Sequence, residues 1–474
     1  MTHYRRLWIY LLPLLLASLA CQAALGPWQK RFASSPTPSI TASHTPTSSP
    51  LLPSPTSSLT ASPLPPSPTP SPTATLLPPS PTPFVVAGPR PTASPSQLQV
   101  FEELWQIVNE QYLYPDFNGL DWNAIHGEYR SLIEGGLTND EFYLAMKDMI
   151  ARLGDDHSNY FSPEEARKLD ANFAGDYNFV GIGVTTAGVP DEKRATILLV
   201  FPGSPAEAAG LQSHDSILAI DGQPIWDESG FHRERLLGPE GSTVEVTVQT
   251  PGQEPRQVQL TRRRIVGQLP VPHTVLTSPG GKRIGYIFLP TFGDSNIDDQ
   301  VGQAIREMTV EAPLDGLILD NRYNGGGMVE VMANTLTYFT NGVVGYFVQR
   351  GSREPLTVPA TDVNGSQNVP LVTLVGKGTA SFGEIFAGLL KDIGRAYLIG
   401  EQTEGNVEIL GVHELTDASR AWIANATFHP INQKIQNWEQ TGIVPDLTVV
   451  SNWDEVTLAN DLAILAALAH FDGQ

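Results

Sequence analysis

An α/β fold around a largely parallel sheet is what this sequence predicts, preceded by a helical segment and a module of short strands. Three observations carry that prediction. From residue 265 onward, apolar runs of strand length alternate with apolar-periodic runs of helix length. Residues 101–169 keep apolar faces at helical spacing. Residues 175–264 switch to short β-rich runs broken by turn residues. Repeated strand–helix units form parallel sheets, with sites at the carboxyl ends of the strands.

Taken in order, residues 1–20 read as a signal peptide. Arg5 and Arg6 form a basic start, residues 7–16 are apolar, and Ala17-Ser18-Leu19-Ala20-Cys21 follows. The run is too short to favour a spanning helix. Cys21 is the single cysteine, so no intrachain disulfide can form. Its position at the end of the leader resembles a bacterial lipobox, with Ser18 where a leucine is usual. The expectation is an acylated Cys21 that holds the protein on the outer face of a membrane; ordinary leader cleavage is the alternative. Residues 21–98 form a linker rich in Pro, Ser and Thr, with too little apolar content to offset the entropy of ordering. It reads as a spacer or as a glycosylated stalk.

Residues 99–170 form the helical segment. Phe101, Leu104, Trp105 and Val108 share one face, as do Phe142, Ala145, Met146 and Met149. His157 stands apart, in the polar loop Asp155-Asp156-His157-Ser158. Residues 171–264 form the strand-rich module, with a short helix over residues 206–211 ended by Gly210 and a strand over 244–248. In residues 265–474, strand 284–289 precedes helix 298–310. Strand 314–319 precedes helix 328–339, strand 369–375 precedes helix 385–390, and residues 460–471 close as a helix.

The formal net charge of −21 opposes a nucleic acid or anionic membrane as partner. Chemistry concentrates in two turns at strand ends. Thr379-Ala380-Ser381-Phe382-Gly383-Glu384 joins a buried strand to a helix. A serine there lies in the field of unpaired helix N–H groups, suited to stabilising an oxyanion. Ser-x-x-Glu is also the pattern of a capping box. Asp320-Asn321-Arg322-Tyr323-Asn324-Gly325-Gly326-Gly327 is a glycine-rich turn that allows close backbone approach to a ligand. No Gly-Lys-Ser/Thr follows, which disfavours phosphate.

Together these turns resemble those of the carboxyl-terminal processing peptidases, or tail-specific proteases. The resemblance runs from about Leu98 to the end of the chain. It includes a helical segment closing at Leu153-Gly154-Asp155-Asp156-His157-Ser158-Asn159-Tyr160-Phe161. Pro202-Gly203-Ser204-Pro205-Ala206 and Asp215-Ser216-Ile217-Leu218 are similar to a PDZ domain, and Gly442-Ile443-Val444-Pro445-Asp446 to the closing segment. The resemblance implies an α/β peptidase core over residues 265–474, a PDZ domain over 171–264, and Ser381 as nucleophile. It implies Gly326 and Phe382 as oxyanion donors. Val180, Gly181, Ile182, Gly183 and Val184 would be the loop that captures a peptide carboxylate. The PDZ fold could also serve only as a lid. No cofactor and no metal are expected.

The sequence departs from this family at one decisive place. Most members are Ser-Lys peptidases, with the lysine 25 positions after the serine and a glutamine four residues further. Those positions hold Asn406 and Leu410. An amide has no basic lone pair, so Ser381 needs another proton acceptor. A branch resembling the tricorn core protease carries a histidine in the loop before the PDZ domain, working with the serine and a glutamate. His157 occupies that loop. Glu404 and Glu408 flank Asn406, and in an extended strand all three would share a face. Either could orient the imidazole. Lys377 and Lys434 are further candidate bases. The expected function is a serine endopeptidase of the bacterial cell envelope acting on proteins with apolar C-termini. The alternative is an inactive relative serving as a tethered peptide-binding lipoprotein.

Overall fold

The computed structural model describes residues 91–155, 157–175, 177–228, 230–432 and 438–473. The expected leader, Cys21, most of the linker and Lys434 lie outside the described residues. No described helix is long and apolar enough to cross a membrane.

Helices Pro95–Gln111, Trp122–Glu134, Asn139–Ala151 and Pro163–Phe173 form the N-terminal segment. The first begins at Pro95, inside the expected linker, because proline suits a position whose N–H lacks a partner anyway. Phe101, Leu104, Val108, Phe142, Ala145, Met146 and Met149 are buried as their spacing predicts. Trp105 is half-buried, and its indole N–H donates to Trp122 O at 3.0 Å. This cluster does not close on itself. It packs against Leu415, Ala421, Ile423 and Ala424 of the C-terminal region.

The strand-rich module holds Val184–Val189, Arg194–Val200, Ser216–Ile220, Thr243–Gln249 and Arg256–Thr261 in one antiparallel sheet. Val184–Val189 lies at its edge and, among the described residues, pairs only with Arg194–Val200. The short helix is Pro205–Ala208, capped by Ser204.

The central sheet has the order His273–Thr277, Arg283–Phe288, Gly316–Asp320, Leu371–Val375, Tyr397–Gly400, Leu447–Thr448. All its pairings are parallel except that between His273–Thr277 and Arg283–Phe288. Gly316–Asp320 and Leu371–Val375 are buried throughout, as strands covered on both faces must be.

A second, antiparallel sheet was not anticipated. It joins Asn159–Phe161, Arg420–Pro430, Gly342–Gln349 and Ser352–Val358, with Ile409–Glu414 also on Arg420–Pro430. Its placement matters for the site. Asn159 pairs with Trp422, and Ala424 N–H donates to Ser158 Oγ at 3.0 Å. The loop carrying His157 is thereby fixed to the C-terminal core.

Candidate active site

Ser381 heads the helix Phe382–Asp392, directly beyond the strand Leu371–Val375. Its backbone has φ 52° and ψ −128°, a conformation that costs a non-glycine residue about 1–3 kcal/mol. Neighbouring bonds hold it there. Ser381 N–H donates to Asn406 O at 2.6 Å, and Ala380 N–H to Asn324 O at 3.1 Å. The side chain makes no capping bond. Glu384 does not complete a capping box either. It is fully buried, and its carboxylate accepts from Thr403 Oγ1, from Gly405 N–H at 2.9 Å and from Asn406 N–H at 2.8 Å. Burial pushes its pKa up despite those donors. The Ser-x-x-Glu spacing therefore clamps the 403–406 loop beside the serine.

The glycine turn meets the serine turn closely. Gly326 has φ +90°, and a Cβ there would lie 2.7 Å from Ser381 Cβ and 2.8 Å from Phe382 N. Only glycine allows this approach. Phe382 N–H has no hydrogen-bond partner among the described residues. Gly326 N–H instead donates to Asn324 Oδ1 at 3.0 Å. Of the two expected oxyanion donors, one is free and one is engaged. Beneath the turn, Arg322 is buried between Asp320 at 2.6 Å and Asp461 at 2.7 Å. Its guanidinium lies 5.2 Å from the Trp453 ring, which stacks on His214 of the strand-rich module at 4.0 Å.

His157 is buried, its side chain 5% exposed, and its Nε2 lies 3.1 Å from Glu439 Oε1. Glu439 Oε2 accepts from Val407 N–H at 2.7 Å and Glu408 N–H at 2.9 Å. One loop, residues 403–408, thus holds both the serine backbone and the carboxylate on the histidine. Burial opposes charge on His157. The Glu439 bond and the nearby charges of Glu439, Glu408 and Asp155 outweigh it and raise the pKa. Glu408 is buried and accepts from Tyr114 Oη. Burial, aided by the Glu439 charge, pushes it up to about 7, against the Tyr114 bond and the His157 charge.

These positions correct the expected orienting acids. Gly405 has φ +89° and turns the chain, so Glu404, Asn406 and Glu408 do not lie on one extended face. Glu404 is exposed, and its N–H donates to Thr379 O at 3.2 Å. Glu408 is near His157 but is not hydrogen-bonded to it among the described residues. Glu439 is the acid on the imidazole, and the sequence reading missed it. Its one local signal is Trp438, a large apolar residue just ahead of the Gly442–Asp446 stretch, which is buried and anchors the short helix Trp438–Thr441. Ser381 Oγ makes no hydrogen bond among the described residues, to His157 included. Lys377 is exposed and paired with Glu401 at 3.2 Å.

Comparisons with known proteins identify the domains. Residues 283–449 match Peptidase family S41, residues 96–151 the Tricorn protease C1 domain, and residues 180–260 a PDZ domain. The chain is 32% identical to a carboxyl-terminal-processing protease of Synechocystis sp. over 80% of its length and 88% of the relative's. The chain belongs to the carboxyl-terminal-processing peptidase family.

A second relative is the chloroplastic carboxyl-terminal-processing peptidase 2 of Arabidopsis thaliana, 33% identical over 73% of this chain and 68% of that one. The solved photosystem II D1 C-terminal processing protease superposes with a TM-score of 0.56 at 28% identity, covering 79% of this chain and 97% of that one. The family makes this chain a serine peptidase with a PDZ domain, acting on peptides or proteins. Asn406, where the resemblance puts the family's lysine, serves here as a backbone anchor. Asn406 contributes its N–H to Glu384 and its C=O to Ser381. Leu410, where the resemblance puts the family's glutamine, packs on the helical segment's core.

In the PDZ domain, the Gly183 and Ile182 carbonyls accept from Phe201 and Ala206 N–H. Ile182 N–H faces Leu236 O across the Gly181–Leu237 bridge, and Gly183 N–H has no partner among the described residues. They adjoin the open edge of Val184–Val189.

Proposed function

We propose that this peptidase cleaves proteins recognised by their C-terminal tails and uses histidine where its relatives use lysine. The observation that carries the reading is the shared 403–408 loop, which accepts the Ser381 N–H and donates to the Glu439 carboxylate on His157. Ser381 Oγ attacks the scissile carbonyl. The His157 ring nitrogen not bound to Glu439 takes the hydroxyl proton and passes it to the leaving amine; water then completes hydrolysis through the same base. Glu439 fixes the tautomer and balances the imidazolium. Phe382 N–H faces the developing oxyanion, and Gly326 N–H joins it by exchanging Asn324 Oδ1 for that charge. Catalytic hydrogen bonds commonly close only in the substrate complex, which accommodates the unbonded Ser381 Oγ.

The tail is read in the PDZ domain. A free carboxylate meets the Gly183 N–H within the 180–184 loop, and the peptide adds to the edge of Val184–Val189. The leader and Cys21 support an extracytoplasmic, lipid-anchored enzyme of a bacterial envelope. Cys21→Ser should move the protein from membranes to the soluble fraction; unchanged membrane association would defeat the anchor.

The deciding experiment is labelling with a fluorophosphonate probe beside peptide cleavage. Wild type should label, Ser381→Ala should lose both signals, and C-terminal amidation of the peptide should weaken its binding. Asn406 favours a second reading, an inactive peptide-binding lipoprotein. Absence of wild-type labelling where a related active peptidase labels would establish it instead.

A further inference from the structure

His157, Glu408 and Glu439 each offer one ligand atom, and these atoms all lie within 4.8 Å of one another. They come from three distant parts of the chain: the loop before Asn159–Phe161, the loop before Ile409–Glu414, and the helix Trp438–Thr441. A Ser-His-Glu peptidase needs only one carboxylate here. Glu408 is the surplus one. It is 4% exposed, Tyr114 Oη occupies its Oε1, and its Oε2 is buried with no hydrogen-bond partner among the described residues. Asp155, beside His157, likewise buries an unpartnered Oδ2. A buried carboxylate oxygen without a partner is costly, and two carboxylates this close repel. A cation between them removes both penalties.

We propose that His157, Glu408 and Glu439 form a binding site for a zinc-type divalent cation. One imidazole nitrogen and two carboxylate oxygens are a ligand set of catalytic zinc centres, which leave a fourth position open. Calcium and magnesium favour all-oxygen shells, so the histidine selects against them. Ligands about 2.0–2.2 Å from zinc sit roughly 3.3–3.6 Å apart in a tetrahedron, so closure needs a contraction of little more than about an ångström. The outer contacts are in place. Val407 and Glu408 N–H groups hold Glu439, and Tyr114 holds Glu408 by one oxygen while leaving the other.

The consequence for activity rests on His157 being the base. A metal on its ring nitrogen displaces Glu439 from the imidazole and removes the proton relay, so the cation acts as a reversible inhibitor.

The test uses the full-length protein, stripped with a chelator and titrated with Zn²⁺ by calorimetry and Co²⁺ by visible absorption. Wild type should bind one ion at the cluster and gain melting temperature. Glu408→Gln should weaken binding at least about 10²-fold, and Tyr114→Phe about 10-fold or more, as losses of outer-shell contacts do. Metal-free melting curves verify that both variants fold. His232 sits between Asp227 at 2.8 Å and Glu234 at 3.1 Å on an exposed site, so His232→Ala is the control and should change nothing. Equal zinc binding by wild type and Glu408→Gln, or loss in His232→Ala, overturns the proposal. Failure to bind zinc with intact Ser381 labelling sinks the metal site and leaves the peptidase reading. Zinc bound at the cluster without inhibition does the reverse, removing His157 as base.

Discussion

His157 and His214 are buried to a similar depth, yet their pKa values shift in opposite directions. His157 faces Glu439, Glu408 and Asp155, and its pKa is raised. His214 stacks on Trp453 and donates its Nδ1–H to Trp453 O at 2.8 Å; burial first, then the Arg322 charge, lowers its pKa against that bond and the Asp461 and Asp320 charges. One imidazole is kept ready to carry charge. The other is kept neutral as a packing element between the PDZ domain and the core. Burial alone does not set the charge preference of a histidine; the balance of hydrogen bonds and charges around it decides the direction.

The sharpest way to break this comparison is to remove each ring. His157→Ala should cost about 10²–10⁴ in the rate of peptide cleavage. His214→Ala should change it only by the roughly 0.5–2 kcal/mol typical of groups coupled to a site without touching substrate. Equal losses would erase the distinction. Glu439→Gln comes next. It should cost at most the roughly 10⁴ seen when a triad acid is lost. It should also lower the inflection of the pH–rate profile, which in wild type lies above the ordinary histidine value of about 6.5. These assays belong in chelator. An unmoved inflection would show that another group titrates.

Trp453→Leu probes the other histidine. Trp453 is 3% exposed and touches His214, Phe288, Tyr323 and Arg322. Its loss should destabilise the protein by about 2–4 kcal/mol, read by denaturant melts. A smaller effect separates the histidines by pH. The raised pKa of His157 contributes stability that is present below about 6.5 and lost as pH rises through the folded value. The lowered pKa of His214 contributes stability present above about 6.5 and lost as pH falls through its folded value. Melting temperature against pH should therefore flatten on the alkaline side in His157→Ala and on the acid side in His214→Ala. Asn406→Ala should have the least effect on rate, since the contacts described for Asn406 come from its backbone.

Local pattern made the central sheet and the serine and glycine turns legible. Leu371–Val375 and Gly316–Asp320 are short apolar runs before turns, and period plus punctuation suffices to find them. The helical segment was legible for the same reason. The second sheet was not, because its pairings join residues far apart, such as Asn159 with Trp422, and no local period encodes a partner. Glu439 escaped for a related reason. Glu404 and Glu408 were chosen by proximity in sequence, on the premise of an extended strand. The left-handed backbone at Gly405 breaks that premise, and the acid that reaches the imidazole arrives from a separate helix.

The His157–Glu439 contact joins residues 282 positions apart. A chain made from its N-terminus acquires the imidazole early and the serine much later. It acquires the Glu439 carboxylate a further 58 positions after the serine. Contacts of such separation also form late and slowly in folding. On the proposed mechanism, a partly made chain can carry Ser381 and still lack the Glu439 carboxylate.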